Sequence, residues 1–100
     1  MSAIQLHVDL DVDSMLEQQL LGAFRDTFSP AIRKQPGFVD VRLLKRRSQE
    51  AGLNYRLLIS FESEEQRKQW VASDLHQQVW PAIERTLKGG KYVPTLYDIL

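Results

Sequence analysis

Two stretches of the chain alternate between apolar and polar residues, and this pattern limits the fold more than any other feature. Every second side chain is apolar in residues 4–10, and the same alternation returns in residues 55–62. Successive side chains of a strand point to opposite faces, so each stretch predicts a β-strand with one apolar and one polar face. Residues 38–47 alternate too, and the polar stretch 48–54 after them is typical of a hairpin loop.

Helix signals separate these strands. Asp13 or Ser14 can cap a first helix, and Pro30 interrupts its apolar stripe because proline lacks an N–H and crowds the preceding turn. Ser63, with Gln66 three residues later, forms a capping-box pattern that predicts the start of a second helix. We expect that helix to break at residues 73–74, where serine and aspartate offer a new N-cap.

The chain closes with a fourth extended segment. Gly89 and Gly90 form a pattern that stops helices, and residues 91–100 are rich in β-forming residues. Pro94 cannot donate to a central ladder, so this segment is expected to be an edge or bulged strand. The order is then βαββαβ, which is the ferredoxin-like α+β fold with an antiparallel sheet.

An internal repeat supports this order. A shift of 51 positions superposes residues 4–10 on residues 55–61 and Phe24 on Leu75, so strand faces and helix faces coincide. We interpret residues 1–100 as one domain of two similar βαβ halves, with both helices covering the uniformly apolar face of the sheet.

Composition excludes several functions. Thirteen Lys and Arg balance thirteen Asp and Glu, so the chain lacks the excess of positive charge typical of nucleic-acid binding proteins. There is no cysteine, which excludes disulfides and thiolate chemistry. No apolar run is long enough for a membrane span, and residues 1–13 alternate instead of forming a leader, so a cytoplasmic protein without membrane contact is expected.

The polar sheet face carries charges of both signs together with leucines. A partner sheet could bury such a face by pairing arginines with carboxylates, because unpaired buried charge is costly. We therefore expect a homodimer stacked through this face, with an interface that includes His7, Arg42, Leu44, Arg56 and Leu58.

Short motifs give the chain a family resemblance. Pro36-Gly37-Phe38 precedes the second strand, the third strand runs into an acidic helix start over residues 59–65, and residues 70–76 read WVASDLH. Together with the order of elements, they resemble the antibiotic biosynthesis monooxygenase family. The resemblance implies a dimeric α+β barrel. It also implies, for several members, oxidation of aromatic or polycyclic substrates by molecular oxygen without metal or flavin.

Another branch of that family degrades haem, with an Asn on the first strand, a Trp in the second helix and a His ten residues later. Trp70 matches the Trp, but Trp80 stands ten positions on, and the chain's single Asn is Asn54, near the hairpin. Two of three features are absent. We therefore expect neither haem nor any other cofactor, and the spacing of His, Asp and Glu predicts no metal site.

His76 is the candidate catalytic base, since imidazole suits proton transfer near neutral pH. The aromatic residues at helical spacing either fill the core or line a substrate pocket, which Pro30 and Pro81 would open by bending both helices off the sheet. The candidate substrate-binding residues are Trp70, Trp80, Phe24, Phe28 and Tyr97, with Tyr92 as the alternative source of a tyrosine hydroxyl.

Two functions stay open from the sequence. The first is a cofactor-independent monooxygenase that acts on an aromatic, polycyclic or quinol-type molecule. The alternative is a dimer of the same fold that binds a small hydrophobic molecule or a partner without catalysis. A cavity beside His76 would favour the enzyme, and aromatic side chains that fill the space would favour the alternative.

Overall fold

A four-stranded antiparallel sheet carries two helical segments in this computed structural model, which describes residues 3–48 and 52–100. The strands are β1 (Ile4–Val12), β2 (Phe38–Lys45), β3 (Tyr55–Phe61) and β4 (Leu87–Asp98). The helices are a 3₁₀ turn (Ser14–Leu16), α1 (Glu17–Ala23), a π-helical turn (Phe24–Phe28), α2 (Ser29–Ile32), α3 (Glu64–Ala72) and α4 (Asp74–Glu84). The ferredoxin-like α+β prediction is confirmed.

The sheet order is β2-β3-β1-β4, and its register assigns each side chain to a face. Leu6 lies opposite Ile59 and Leu96, on the face that the helices cover, whereas His7 lies opposite Leu58 and Thr95, on the open face. The core lies between the covered face and the helices, as the alternation predicted. Its most deeply buried side chains are Leu10, Val12, Leu20, Phe28, Ile32, Leu57, Phe61, Trp70 and Ile83.

Bulges alter the register at two places that sequence patterns did not reveal. In β2 the pairing shifts between Phe38 and Asp40, so Val39 is 54% exposed instead of lying beside Val41 on the covered face. Gly89 and Gly90 do not end a helix; they lie inside β4 with φ of 60° and 68°, a backbone region that glycine adopts without steric cost.

Asn54, just before β3, ties the β2–β3 hairpin to β1. Its side chain accepts from the Val12 N–H at 2.8 Å and donates to the Val12 carbonyl at 3.0 Å, beside the irregular pairing of β1 with β4. The chain's single Asn therefore replaces a ladder partner. Of the predicted loop over residues 48–54, residues 49–51 lie outside the described part.

The first helical segment stays continuous across Pro30. The N–H of Ser29 bonds to the carbonyl of Phe24, five residues earlier, and α2 then begins with Pro30 in its first turn. Because proline crowds the carbonyl four residues before it, the wider π turn accommodates Pro30 without ending the segment. The predicted interruption is thus a change of helical register.

The second helical segment is divided at Ser73, as predicted. Ser63 caps α3 by accepting from the N–H of Gln66 at 3.2 Å, and Ser73 caps α4 by accepting from the N–H of His76 at 3.2 Å. Gly37, at φ 79°, lies so close to the Gln66 side chain that a Cβ there would collide with it, which seats the start of α3 against β2.

Across the described ranges, the helices are too short or too polar for any of them to span a membrane.

Candidate functional site

A cavity of about 210 Å³ lies between the second helical segment and the covered face of the sheet. Its walls come from β1, β3, α3, α4 and β4, with one aromatic ring from the first helical segment. The lining residues are Leu6, Val8, Phe28, Leu57, Ile59, Arg67, Trp70, Val71, His76, Trp80, Tyr92 and Pro94. The wall is thus largely apolar, as in pockets that bind small ligands.

The break at Ser73 separates the two helices that frame this cavity. Ser73 has extended backbone angles, φ −72° and ψ 152°, and its hydroxyl donates to the Trp70 carbonyl at 2.7 Å while accepting from α4. Neither Pro30 nor Pro81 lines the cavity. The predicted cleft therefore exists, but it follows the serine junction instead of the two prolines.

His76 lies in the first turn of α4, between the two tryptophans of the chain. Its ring is nearly perpendicular to Trp70 at a centroid distance of 5.1 Å and nearly parallel to Trp80 at 6.3 Å. Its Nδ1 is buried and forms no hydrogen bond to a described residue. Burial lowers the pKa of His76 below its usual 6.5, so the imidazole is neutral at pH 7 and able to accept a proton.

Arg67 also lines the cavity, and sequence reasoning missed it. Its Nε and Nη2 donate to the two carboxylate oxygens of Glu64 at 2.8 and 2.6 Å. This hydrogen bonding raises the pKa of Arg67 and lowers the pKa of Glu64. The sequence signal was present: Glu64 and Arg67 stand three residues apart, and Arg67 lies one turn before Trp70, which places all three along one side of α3.

Three of the predicted aromatic residues meet at the cavity. Trp70 is buried and packs edge-on against Phe28 at 5.9 Å, and Trp80 is half-buried. Phe24 is not a lining residue; it stacks behind Phe28 at 6.4 Å. The structure therefore brings Trp70, Trp80 and Phe28 together at the cavity and places Phe24 outside its wall, and a role of these residues in substrate binding stays a prediction.

Tyr97 is a second correction. It pairs with Gln5 in the register, on the open face, and its ring lies 4.6 Å from that of His7. Tyr92 lies opposite Leu10 on the covered face and packs edge-on against Trp80 at 5.2 Å. The tyrosine at the cavity is therefore Tyr92. It lies five positions from Tyr97, and side chains an odd number of positions apart point to opposite faces of a strand.

The residues predicted for a dimer interface all lie on the open face. Leu58 is paired with both His7 and Arg42, and Leu44 is paired with Arg56. Their charges are already matched within the chain: Arg56 binds Asp9 at 2.7 Å, and Arg42 binds Asp40 at 2.8 Å. The structure therefore brings this set together, and its role in an interface stays a prediction.

A larger hollow of about 460 Å³ lies at the end of the β2–β3 hairpin. No histidine lines it, and Asp9 on its wall is paired with Arg56. Within the described ranges, no group of three His, Cys, Asp or Glu side chains could hold a metal ion. The cavity lined by His76 is therefore better suited to proton transfer than the hollow at the hairpin.

Comparison with known proteins links this geometry to a family. The sequence profile of the family described as antibiotic biosynthesis monooxygenase matches residues 4–81. No curated protein is similar enough in sequence to match the chain.

Solved structures share the fold at low sequence identity. SnoaB from Streptomyces nogalater, described as a cofactor-independent oxygenase, superposes with a TM-score of 0.76 at 18% identity, covering 97% of this chain and 92% of SnoaB. A dimeric ferredoxin-like protein of unknown function from Jannaschia sp. CCS1 gives 0.81 at 14% identity, covering 97% and 99%. A conserved protein from Methanosarcina mazei Go1 gives 0.80 at 18% identity, covering 97% and 92%.

Proposed function

Because the chain belongs to the antibiotic biosynthesis monooxygenase family, we propose that it is a cofactor-independent monooxygenase that oxidises a phenol- or quinol-type aromatic molecule. One observation carries the proposal: a largely apolar cavity has a neutral histidine on its wall, between two tryptophan rings. Such a cavity offers apolar contacts to an aromatic ring, while the imidazole accepts a proton from the ligand.

The reaction needs little beyond a base and oxygen. His76 takes the hydroxyl proton of a phenol, and the electron-rich phenolate passes one electron to O₂. The two radicals combine in a new C–O bond, and loss of water from the resulting hydroperoxide leaves a carbonyl. A phenol with a free ring C–H thus reacts with one O₂ to give a quinone and one water. The proton of His76 returns to the departing oxygen.

The volume of the cavity limits the size of the substrate. Small-molecule pockets usually measure about 300–1,000 Å³, and this one is smaller, at about 210 Å³. We therefore favour a molecule with one or two fused rings over a tetracycle, or a larger molecule that inserts only its reacting ring.

We further propose that the chain works as a homodimer through its open face. Charges of both signs and partly exposed leucines on that face support this assembly, and the Jannaschia relative is described as dimeric. Analytical ultracentrifugation at micromolar concentration tests it, and a monomer throughout that range would rule it out. The cytoplasmic location stays a prediction.

Oxygen consumption with a panel of anthrones and naphthohydroquinones tests the enzymatic proposal. We expect uptake by the wild type and a loss of about 100-fold or more in His76→Gln, because the glutamine cannot accept the proton. Gln78→Ala, an exposed change on the same helix, is the matched control and is expected to keep the wild-type rate.

Equal rates in His76→Gln and wild type would remove His76 from the mechanism. Tight binding of the panel without any oxygen uptake would instead favour the non-catalytic alternative, a dimer that carries a small aromatic molecule. That alternative shares the cavity but needs no base.

A further inference from the structure

We infer that Arg67 binds an ionised oxygen on the aromatic ligand, so that the cavity selects small fused aromatics that carry an oxyanion. The inference rests on the proposed function of the same cavity. It assigns a ligand-binding role to Arg67, a polar residue on the cavity wall besides His76. Nothing in the family comparison assigns a role to Arg67.

The first argument is geometric. Glu64 holds Nε and Nη2 of Arg67 through two short hydrogen bonds, which fixes the plane of the guanidinium. Nη1 makes no hydrogen bond to a described residue, and the Arg67 side chain is only 18% exposed. A guanidinium held in this way beside a cavity offers a donor whose orientation is set before the ligand arrives.

The second argument concerns the charges around the cavity. Its titratable lining residues are Arg67, His76 and Tyr92, and none of the lining residues is acidic. Arg67 is bound to the carboxylate of Glu64, and both oxygens of that carboxylate accept hydrogen bonds from Arg67. An anionic ligand would therefore meet a donor and a neutral base, without an opposing carboxylate on the wall.

The third argument is the proton balance of the proposed reaction. A phenol has a pKa of about 10, as tyrosine does, whereas burial holds the pKa of His76 below 6.5. Transfer from phenol to imidazole is therefore unfavourable by more than three powers of ten unless the phenolate is stabilised. A cationic donor at the phenolate oxygen lowers the pKa of the phenol, and Arg67 is the cation on this wall.

Tryptophan fluorescence gives a readout that does not depend on turnover. The chain has two tryptophans, Trp70 and Trp80, and both line the cavity, so quenching by a ligand reports on this site. Three probes of similar size differ in one group: 2-naphthoate carries a fixed carboxylate, 2-naphthol an ionisable hydroxyl, and 2-methylnaphthalene neither.

At pH 7 we expect wild type to bind 2-naphthoate at least about tenfold more tightly than 2-methylnaphthalene. Arg67→Met should abolish this advantage while still binding 2-methylnaphthalene at least as tightly as wild type does, which also shows that the variant is folded. Glu64→Gln should reduce the advantage, since the guanidinium loses its anchor. Lys68→Met, which removes the same charge from an exposed neighbour on α3, should change neither affinity.

Binding of 2-naphthol shows whether the oxyanion forms in the pocket or is already present on the ligand when it arrives. If the oxyanion forms in the pocket by transfer to His76, 2-naphthol binds Arg67→Met less tightly than wild type. If only ligands that arrive ionised are held, the variant changes the affinity for 2-naphthoate alone. Either result supports the role of Arg67.

Equal affinity of wild type and Arg67→Met for 2-naphthoate would overturn the inference and leave the proposed pocket standing. Failure of all three probes to quench the wild type would count against the pocket itself, and against the role of Arg67 with it.

Discussion

The two helical segments of this protein cover the same face of the sheet, yet they pack against it differently. In the first segment Leu20, Phe28 and Ile32 are at most 1% exposed, and of these three only Phe28 lines the cavity. The second segment is less deeply buried in its middle: Ser73 and His76 are half-buried and lie between the buried Trp70 and Val79. The cavity lies against this second segment.

The difference comes from how each segment is interrupted. A π turn adds one residue to the helical ring before Pro30 but keeps the backbone helical, so the stripe stays on the sheet. At Ser73 the backbone is extended, and the helix restarts with its own cap. Two halves with one hydrophobic pattern thus contribute unequally to the cavity, which several side chains of the second segment line but only Phe28 of the first.

The largest expected effect tests this contrast at equivalent positions. Leu20 and Val71 coincide under the 51-residue shift, but Leu20 is fully buried and Val71 is 36% exposed at the cavity wall. Leu20→Ala is expected to lower the free energy of unfolding by about 2–5 kcal/mol because it leaves a hole in a packed layer. Val71→Ala should cost less than about 1 kcal/mol.

Urea denaturation of the two variants and the wild type measures both values. Similar losses at the two positions would mean that the second segment is packed as tightly as the first, and the contrast would fail.

A smaller effect is expected at the junction. Ser73→Ala removes the cap of α4 and the bond to the Trp70 carbonyl, so we expect a loss of about 1–2 kcal/mol and weaker binding of 2-naphthoate. Ser63→Ala removes the cap of α3 alone, away from the cavity, and is expected to cost about 1 kcal/mol with unchanged binding. Chemical denaturation and tryptophan quenching measure the two quantities, and unaltered binding in Ser73→Ala would separate the junction from the cavity.

The smallest effect is a dependence of stability on pH that only the second segment should show. Because the pKa of His76 is lowered by burial, the unfolded chain binds a proton more readily than the folded one. The stabilising contribution of the neutral ring is complete above about pH 6.5 and declines as the pH falls below that value. The equivalent position in the first segment is Arg25, which is exposed.

Thermal or urea unfolding between pH 5 and pH 8 checks this. The wild type should lose stability below about pH 6.5 more steeply than His76→Gln does. Parallel curves for the two proteins would show that His76 titrates alike in both states.

Local signals carried much of the fold. The alternation of β1 and β3 placed their faces correctly, and Ser63 and Ser73 cap helices where the sequence indicated. These predictions succeeded because caps and strand periodicity depend on neighbouring residues alone. Helical spacing likewise placed His76 and Trp80, one turn apart, on one side of α4, and their role in catalysis or binding stays a prediction.

Register across the sheet could not be predicted in this way. Nothing in β4 favours one face, because apolar residues such as Val93 and Leu96 occupy both, so Tyr97 was chosen where Tyr92 belongs. The β2 bulge, which moves Val39 off the covered face, could not be predicted either, because it too is a feature of strand pairing. Arg67 was missed although its position one turn before Trp70 put it on the same side of α3, because a polar residue at that spacing is usually solvent-exposed and only the packing of the helix turns that side toward the cavity.

One consequence follows from β4, the strand that closes the cavity with Tyr92 and Pro94. In the described chain it is hydrogen-bonded to β1 alone, and each of its residues after Leu87 is exposed. An edge strand with so little buried surface detaches locally at a lower free energy than the core unfolds. The part of the cavity wall formed by Tyr92 and Pro94 is therefore held by the backbone ladder to β1 more than by buried side chains.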